Sequence, residues 1–141
     1  MTILQFPDPK LIIESQFIDL DDLETINSTR SALLRMYATL PYNKCGLAAP
    51  QIGINLNMAI VLGSPMFNLE FKPANQLDTD KEGCYSVEHA KKFVSIQRPK
   101  YGWAKWVDGV TFELHNEKIN GFFARVFQHE LDHINGISCL I

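Results

Sequence analysis

The sequence predicts an α+β fold, and three observations indicate it. Short apolar segments, each typical of a β-strand, follow one another between residues 58 and 114. The dipeptide Asp108-Gly109 joins the last two of them, and it is a common turn of antiparallel hairpins. One helical segment near the end of the chain is apolar on nearly every side, as buried helices are. Strands in succession followed by one buried helix favour an α+β architecture.

Composition bounds the class of protein. The 141 residues are 46% hydrophobic and 21% charged, as in a compact globular domain, and we expect a single domain over residues 1–141. The net charge of −3 and the lack of a basic run disfavour nucleic-acid binding. The sequence has no apolar run long enough for a signal peptide or a membrane span, so we expect a cytoplasmic protein without a membrane partner. Its three cysteines favour free thiols over a disulfide framework.

The first third of the chain is predicted to contain a scaffold helix. After an extended segment broken by Pro7 and Pro9, residues 22–40 carry apolar side chains at helical spacing, and Pro41 ends the helix. Small residues follow at positions 46–53, in a pattern that neither helix nor strand explains. Small side chains there would let the backbone approach another group closely.

Five strands and a second helix are predicted beyond this point. The strands are expected at residues 58–62, 66–71, 93–96, 103–107 and 111–114. Residues 72–81 are polar and are predicted as a loop. The helix is expected at residues 122–135, with Asn120 as its N-cap and Gly136 as its stop.

The segment QHELDH at residues 128–133 carries the chemistry of the chain. His129 and His133 are four residues apart, so on an α-helix their imidazoles lie on one face, where both can bind one divalent ion. Glu130 follows the first histidine and is placed to take a proton from a water on that ion. The motif predicts a metal-dependent hydrolase.

The alternative interpretation is a solvated helix whose charges pair four residues apart. The neighbouring residues argue against it, because Phe122 and Val126 share the stripe of the two histidines. Adjoining stripes are apolar as well, with Phe123, Phe127, Leu131 and Ile134. Buried histidines need partners, and one metal ion serves two of them. The pattern therefore favours metal binding.

A third protein ligand has to come from elsewhere, because catalytic metal sites usually have three and an open fourth position. The eight residues that follow His133 contain one possible ligand, Cys139. We expect the third ligand upstream, where the candidates are Cys84, His89 and His115.

Three segments, in this order, resemble the motifs of the peptide deformylase family: GLAAPQ at residues 46–51, EGCYS at residues 82–86 and QHELDH at residues 128–133. The similarity covers nearly the whole chain. It implies an α+β fold in which antiparallel sheets pack around a buried central helix that carries HExxH. The length of the chain resembles the short, C-terminally truncated members encoded by bacteriophages.

The resemblance implies that Cys84, His129 and His133 are the metal ligands and that Glu130 is the general acid/base. One thiolate and two neutral imidazoles would leave a divalent ion with a net charge of about +1, enough to acidify its water. The implied ion is Fe(II) in the cell, with Zn(II) or Ni(II) able to occupy the site in purified protein.

The resemblance assigns further roles near the metal. Gln51 and the backbone N–H of Tyr85 would face the oxyanion of a tetrahedral intermediate. Glu82 would pair with Arg98 and brace the cysteine loop. Gly46 would contact the substrate through its backbone.

The implied reaction removes the formyl group from an N-formylmethionyl peptide, with attack of the metal-bound water on the formyl carbon and release of formate. Cys45 is a candidate wall of the substrate site. Phe122 and Val126 are candidates for the methionine pocket, with plain core packing as an equal alternative.

Two other interpretations stay open: a zinc peptidase of the HExxH type, and a non-catalytic domain that binds a metal or formyl peptides. The expected partners are N-formylmethionyl nascent peptides, with association with the ribosome as a further expectation, and the expected state is a monomer. The resemblance implies that the protein is located in the cytoplasm of a bacterium, or in that of the bacterial host if a phage encodes it.

Overall fold

The computed structural model describes residues 3–40, 45–84, 86 and 93–137. Within these residues two antiparallel sheets form the framework. The larger sheet has five strands in the order β1-β2-β3-β6-β7, and the smaller pairs β4 with β5. The bounds are β1 (Gly46–Ala48), β2 (Met58–Val61), β3 (Ser64–Pro73), β4 (Leu77–Glu82), β5 (Val94–Pro99), β6 (Tyr101–Asp108) and β7 (Leu114–Asn120).

Two helices cover opposite faces of the larger sheet, α1 (Leu23–Thr39) and α2 (Gly121–Ile134). All four residues of β2 are buried, because alternate side chains of a strand point to opposite faces. Ala59 and Val61 lie in a cluster with residues of α2, whereas Met58 and Ile60 lie in a cluster with residues of α1. The two helices therefore enclose the β1–β2 end of the sheet.

Helix α1 begins and ends close to the predicted positions. The Asp22 side chain accepts a hydrogen bond from the backbone N–H of Thr25 and caps the first turn. Its buried face consists of Thr29, Ala32 and Met36, however, while the predicted apolar positions include exposed leucines.

Helix α2 confirms the predicted buried central helix. Gly121 enters it with φ +62° and Gly136 ends it with φ +73°, both left-handed conformations that favour glycine. Asn120 occupies the N-cap position, without a side-chain capping bond. Phe127 is fully buried in a cluster with Trp106, whereas Phe122 in the first turn is 58% exposed. The prediction that the helix is buried on nearly every side is therefore wrong for its first turn.

Two other element predictions are wrong. The predicted loop at residues 72–81 contains the end of β3 and most of β4, a strand whose side chains are exposed except for Glu82. The last strand is not at residues 111–114 but at Leu114–Asn120. The Asp108 carboxylate accepts hydrogen bonds from the backbone N–H groups of Val110 and Thr111, so the turn after β6 is longer than two residues.

Both misplaced strands are polar and lie at sheet edges or in a two-stranded sheet. Backbone pairing holds such strands without burying a side-chain face, so they leave no apolar alternation in the sequence.

Neither helix in the described ranges is long and apolar enough to cross a lipid bilayer.

Candidate metal and catalytic site

The loop after strand β4 and helix α2 bring together three side chains that could bind a metal ion. The donor atoms of Cys84, His129 and His133 all lie within 4.8 Å of one another. Cys84 Sγ is 3.1 Å from His133 Nε2, and the two imidazole rings are 5.1 Å apart at an interplanar angle of 70°. The spacing of four residues on α2 places both rings on one face, as the sequence predicts.

The competing ligand candidates do not join this group. His115 stacks on Trp106 with ring centroids 4.9 Å apart and lies 3.8 Å from a Glu117 oxygen. His89 and Cys139 lie outside the described residues. In the part of the chain that the structure describes, Cys84 is the residue that completes a three-donor group with the two histidines.

Glu82, the last residue of β4, orients the first histidine. Its Oε1 is 2.8 Å from His129 Nδ1, which leaves the Nε2 of the imidazole for a metal ion. Arg98 donates to both carboxylate oxygens, from Nε at 2.6 Å and from Nη2 at 2.9 Å. Burial opposes the charge on Glu82, but hydrogen bonds from His129 and Arg98 outweigh it and hold the pKa of this carboxyl at about 2. The predicted pair of Glu82 and Arg98 is therefore present.

The two histidines differ in their protonation. Burial and the nearby charge of His129 lower the pKa of His133 to about 3, so its ring is neutral at neutral pH, as a ligand must be. Burial also disfavours charge on His129, yet its contacts with Cys84 and Glu82 outweigh burial and raise its pKa well above the usual range. A metal ion bound by His129 has to displace that proton.

Glu130 lies in the interior beside the ligands. Burial raises the pKa of its carboxyl to about 7. Among the described residues, its Oε1 is one of three buried side-chain polar atoms without a hydrogen-bond partner. A Cβ atom on Gly46 would lie 2.7 Å from Glu130 Oε2 and 2.7 Å from the carbonyl oxygen of Ile60. Glycine at position 46 thus makes room for the carboxylate.

Gln51 is held with its amide nitrogen toward the cysteine. Its Oε1 accepts a hydrogen bond of 3.0 Å from the backbone N–H of Ala48, which orients the amide group. Its Nε2 lies 3.2 Å from Ser86 Oγ and 3.8 Å from Cys84 Sγ. The side chain is nearly fully buried, on the short 3₁₀ helix Ala49–Ile52. A donor so placed faces the space beside the metal ligands.

The remaining predicted site residues are in different settings. Val126 is 6% exposed on the buried side of α2, while Phe122 is largely exposed. Cys45 is an exposed free thiol next to Gly46. Tyr85 lies outside the described residues.

Three side chains that contact the candidate site residues received no role from sequence reasoning: Ser86, Arg125 and Asp132. Arg98 Nη1 is 2.9 Å from Asp132 Oδ2, and Arg125 Nη1 is 2.6 Å from Glu82 Oε2. A usable signal existed for Arg125, because a charged residue inside an apolar helix needs a buried partner. Nothing local in the sequence indicates which partner that is.

The chain matches known proteins of one family over nearly its whole length. The family model described as polypeptide deformylase matches residues 1–140. The peptide deformylase of Rhizorhabdus wittichii is 30% identical, over 96% of this chain and 81% of that protein. The crystal structure of peptide deformylase from Thermotoga maritima superposes with a TM-score of 0.79 at 31% identity, covering 98% of this chain and 93% of that one.

A second solved structure is similar over the same extent. The actinonin-bound class I type b peptide deformylase from Acinetobacter baumannii has a TM-score of 0.85 at 27% identity, covering 98% of this chain and 94% of that one. The family match over nearly all of the sequence, together with the relative at 30% identity, decides the assignment. The chain belongs to the polypeptide deformylase family.

Proposed function

We propose that this chain is a metal-dependent hydrolase that removes the N-formyl group from formylmethionyl nascent peptides and releases formate. One observation carries the proposal: Cys84, His129 and His133 form a three-donor group, with Glu130 and Gln51 beside it. Family membership supports the reaction, and the described residues offer candidates for the metal ligands, for the acid/base and for one oxyanion donor.

The donor set fits a divalent metal ion. One sulfur and two imidazole nitrogens suit Fe(II) or Zn(II), and three protein donors leave a position for water or substrate. We propose Fe(II) in the cell, with Zn(II) or Ni(II) able to replace it in purified protein. Bound there, the ion supplies Lewis acidity that acidifies a water and polarises the formyl oxygen.

Glu130 moves the protons in this proposal. Its unpaired Oε1 is available to accept a proton from the attacking water and to return it to the nitrogen of the departing amine. Burial on α2 fixes the carboxylate, so little reorganisation is needed during the reaction.

Gln51 is the proposed donor to the oxyanion. Its Nε2–H groups stabilise the negative charge that develops on the formyl oxygen, and losing one such donor typically costs about 3–4 kcal/mol of barrier. The backbone N–H of Tyr85 is proposed as a second donor, by resemblance to the family.

The site is proposed to select its substrate by size. Because Gly46 has no side chain, strand β1 lies close to Glu130, and we propose that a site so closely packed admits a small acyl group such as formyl and excludes larger ones. Val126 and the exposed Phe122 are proposed to contact the methionine side chain, and Cys45 to lie at the rim. Formylmethionyl chains emerge from ribosomes in the cytoplasm, so we propose that the protein acts there, beside the ribosome. We also propose that the protein is a monomer.

The test is formate release from a formyl-Met-Ala-Ser peptide by anaerobically purified protein loaded with Fe(II). Glu130→Gln, which has nearly the same shape but cannot act as a base, is measured alongside with its metal content. We expect formate from the wild type and a loss of at least about 100-fold in the variant at equal metal content.

Other outcomes would contradict the proposal. Cleavage of unformylated peptides without formate would indicate a peptidase. A folded, metal-loaded wild type that releases no formate would indicate a binding domain. Full activity of Glu130→Gln would remove Glu130 from its role.

A further inference from the structure

Arg125 is a buried charge that the proposed reaction does not use. It lies one helical turn before His129 on α2, and it is 6% exposed. Burying a guanidinium is costly unless its donors are paired, so its partners indicate why it is there.

Among the described residues, the hydrogen-bond partners of Arg125 all belong to the β4–β5 hairpin. Its Nη1 lies 2.6 Å from Glu82 Oε2 and donates to the carbonyl oxygen of Ile96 at 3.0 Å. Its Nη2 donates to the carbonyl oxygen of Asp78 at 3.0 Å. One side chain on α2 thus contacts both strands of the hairpin: β4, which precedes Cys84, and β5, which follows it.

The same contact completes the surroundings of the Glu82 carboxylate. Oε2 accepts from Arg98 Nε and from Arg125 Nη1, both at 2.6 Å. Oε1 accepts from Arg98 Nη2 at 2.9 Å and lies 2.8 Å from His129 Nδ1. A carboxylate has about four lone-pair directions, and all four are used here. Without Arg125, one direction on Oε2 would lose its donor and the carboxylate could tilt away from His129.

We propose that Arg125 is a positioning residue of the metal site. It holds Glu82 in the orientation that directs His129 toward the ion, and it fixes the β4–β5 hairpin against α2. The inference rests on the metal site of the proposed function, although not on the reaction. Arg98 on β5 contacts α2 through the Asp132 side chain, whereas Arg125 on α2 contacts both the Glu82 carboxylate and the backbone of the hairpin.

The test measures metal binding without turnover. Arg125→Met keeps the length of the side chain and removes every donor, whereas Arg125→Lys keeps the charge and one point of contact. Arg30→Met is the control, since the Arg30 guanidinium lies on α1 over the ring of Phe112, 5.4 Å from its centroid. Zn²⁺ dissociation constants are measured by competition with a chromophoric chelator, and Co²⁺ spectra report the ligand geometry, both well below the unfolding temperatures.

We expect Arg125→Met to weaken Zn²⁺ binding by about 10–100-fold and to change the Co²⁺ spectrum, as loss of a partner behind a metal ligand typically does. Arg125→Lys should weaken binding less, and Arg30→Met should leave both readouts unchanged. In a Glu82→Gln background the Arg125→Met effect should shrink, because part of it acts through Glu82.

A purely structural role would lower only the unfolding temperature. Zn²⁺ affinity within about twofold of wild type and an unchanged Co²⁺ spectrum in folded Arg125→Met would overturn the inference. If Arg125→Met does not fold, the same result in Arg125→Lys would overturn it. Normal Zn²⁺ binding by the wild type without formate release would instead contradict the proposed function and leave this inference standing.

Discussion

At the scale of single residues, the site depends on a close approach between strand and helix. The Glu130 carboxylate is buried where the facing position on β1 is Gly46, and a Cβ atom there would lie 2.7 Å from Glu130 Oε2. The sequence predicts a close backbone approach in this small-residue stretch and the structure shows which group is approached. Among the described residues, Cys84 completes a three-donor group with the two histidines, whereas His115 stacks on Trp106.

Gly46→Ala tests this approach. The new Cβ would meet Glu130 Oε2 and the Ile60 carbonyl oxygen at 2.7 Å, so one of them must shift. We expect kcat for formate release to fall at least about tenfold, because displacements of about 1 Å can cost 100-fold. Gly63→Ala is the control: a Cβ there meets nothing within 4 Å, and its φ of +86° adds backbone strain alone. Equal activity of Gly46→Ala and the wild type would refute the packing argument.

At the scale of elements, helix prediction succeeded and strand prediction was uneven. Apolar spacing marks both helices, because helical contacts are local in the chain. Pro41 marks the end of α1, and Gly136 marks the end of α2. Strands β4 and β7 are polar, and they depend on backbone pairing: β4 pairs with β5, and β7 pairs with β6. Backbone pairing leaves no pattern of apolar residues in the sequence, so neither strand was predicted at its observed position. The buried strands β2, β3 and β6 were predicted near their observed positions because they alternate or run apolar.

Two phenylalanines of α2 provide a matched test of its burial. Phe127 is fully buried and its ring centroid lies 5.7 Å from that of Trp106, whereas Phe122 is 58% exposed. Phe127→Ala should lower the free energy of unfolding by about 3–5 kcal/mol, because it leaves a cavity in the core. Phe122→Ala should change it by no more than about 0.5 kcal/mol. Urea unfolding of the metal-free proteins measures both, and equal effects would show that the first turn is packed.

At the scale of the whole molecule, a buried network of charges joins the smaller sheet to α2. Glu82 on β4, Arg98 on β5, and Arg125 and Asp132 on α2 are connected by contacts of 2.6–2.9 Å. Such a network is costly when one member is removed, because the remaining charges lose their partners. The prediction of one domain over residues 1–141 remains a prediction.

Acid stability of the metal-free protein follows from this network. The pKa of Glu82 is about 2 in the folded protein, against an ordinary value of 4.5. A lowered folded pKa stabilises the protein above pH 4.5, and this contribution is lost as the pH falls from 4.5 through about 2. The free energy of unfolding, measured by denaturant titration at several pH values, should therefore decrease over that window.

Glu82→Gln should flatten that part of the profile, since it removes the titrating carboxyl. Glu70→Gln is the control, because Glu70 is half-exposed and its carboxylate is 3.9 Å from Lys105 Nζ. An unchanged acid slope in Glu82→Gln would assign the dependence to other groups.

The sequence by itself determined the features that depend on neighbours along the chain. The spacing of His129 and His133 places both rings on one face, and the three motifs identify the family and its fold, while the roles they imply for the site residues remain predictions. Only the tertiary structure decided the contacts between distant segments: Cys84 with His133, 49 residues apart, and Arg125 with Glu82, 43 residues apart. Helical geometry fixes the first kind because its repeat is constant, whereas the second kind arises when sheet pairing and core packing bring separate elements together, which leaves no local pattern.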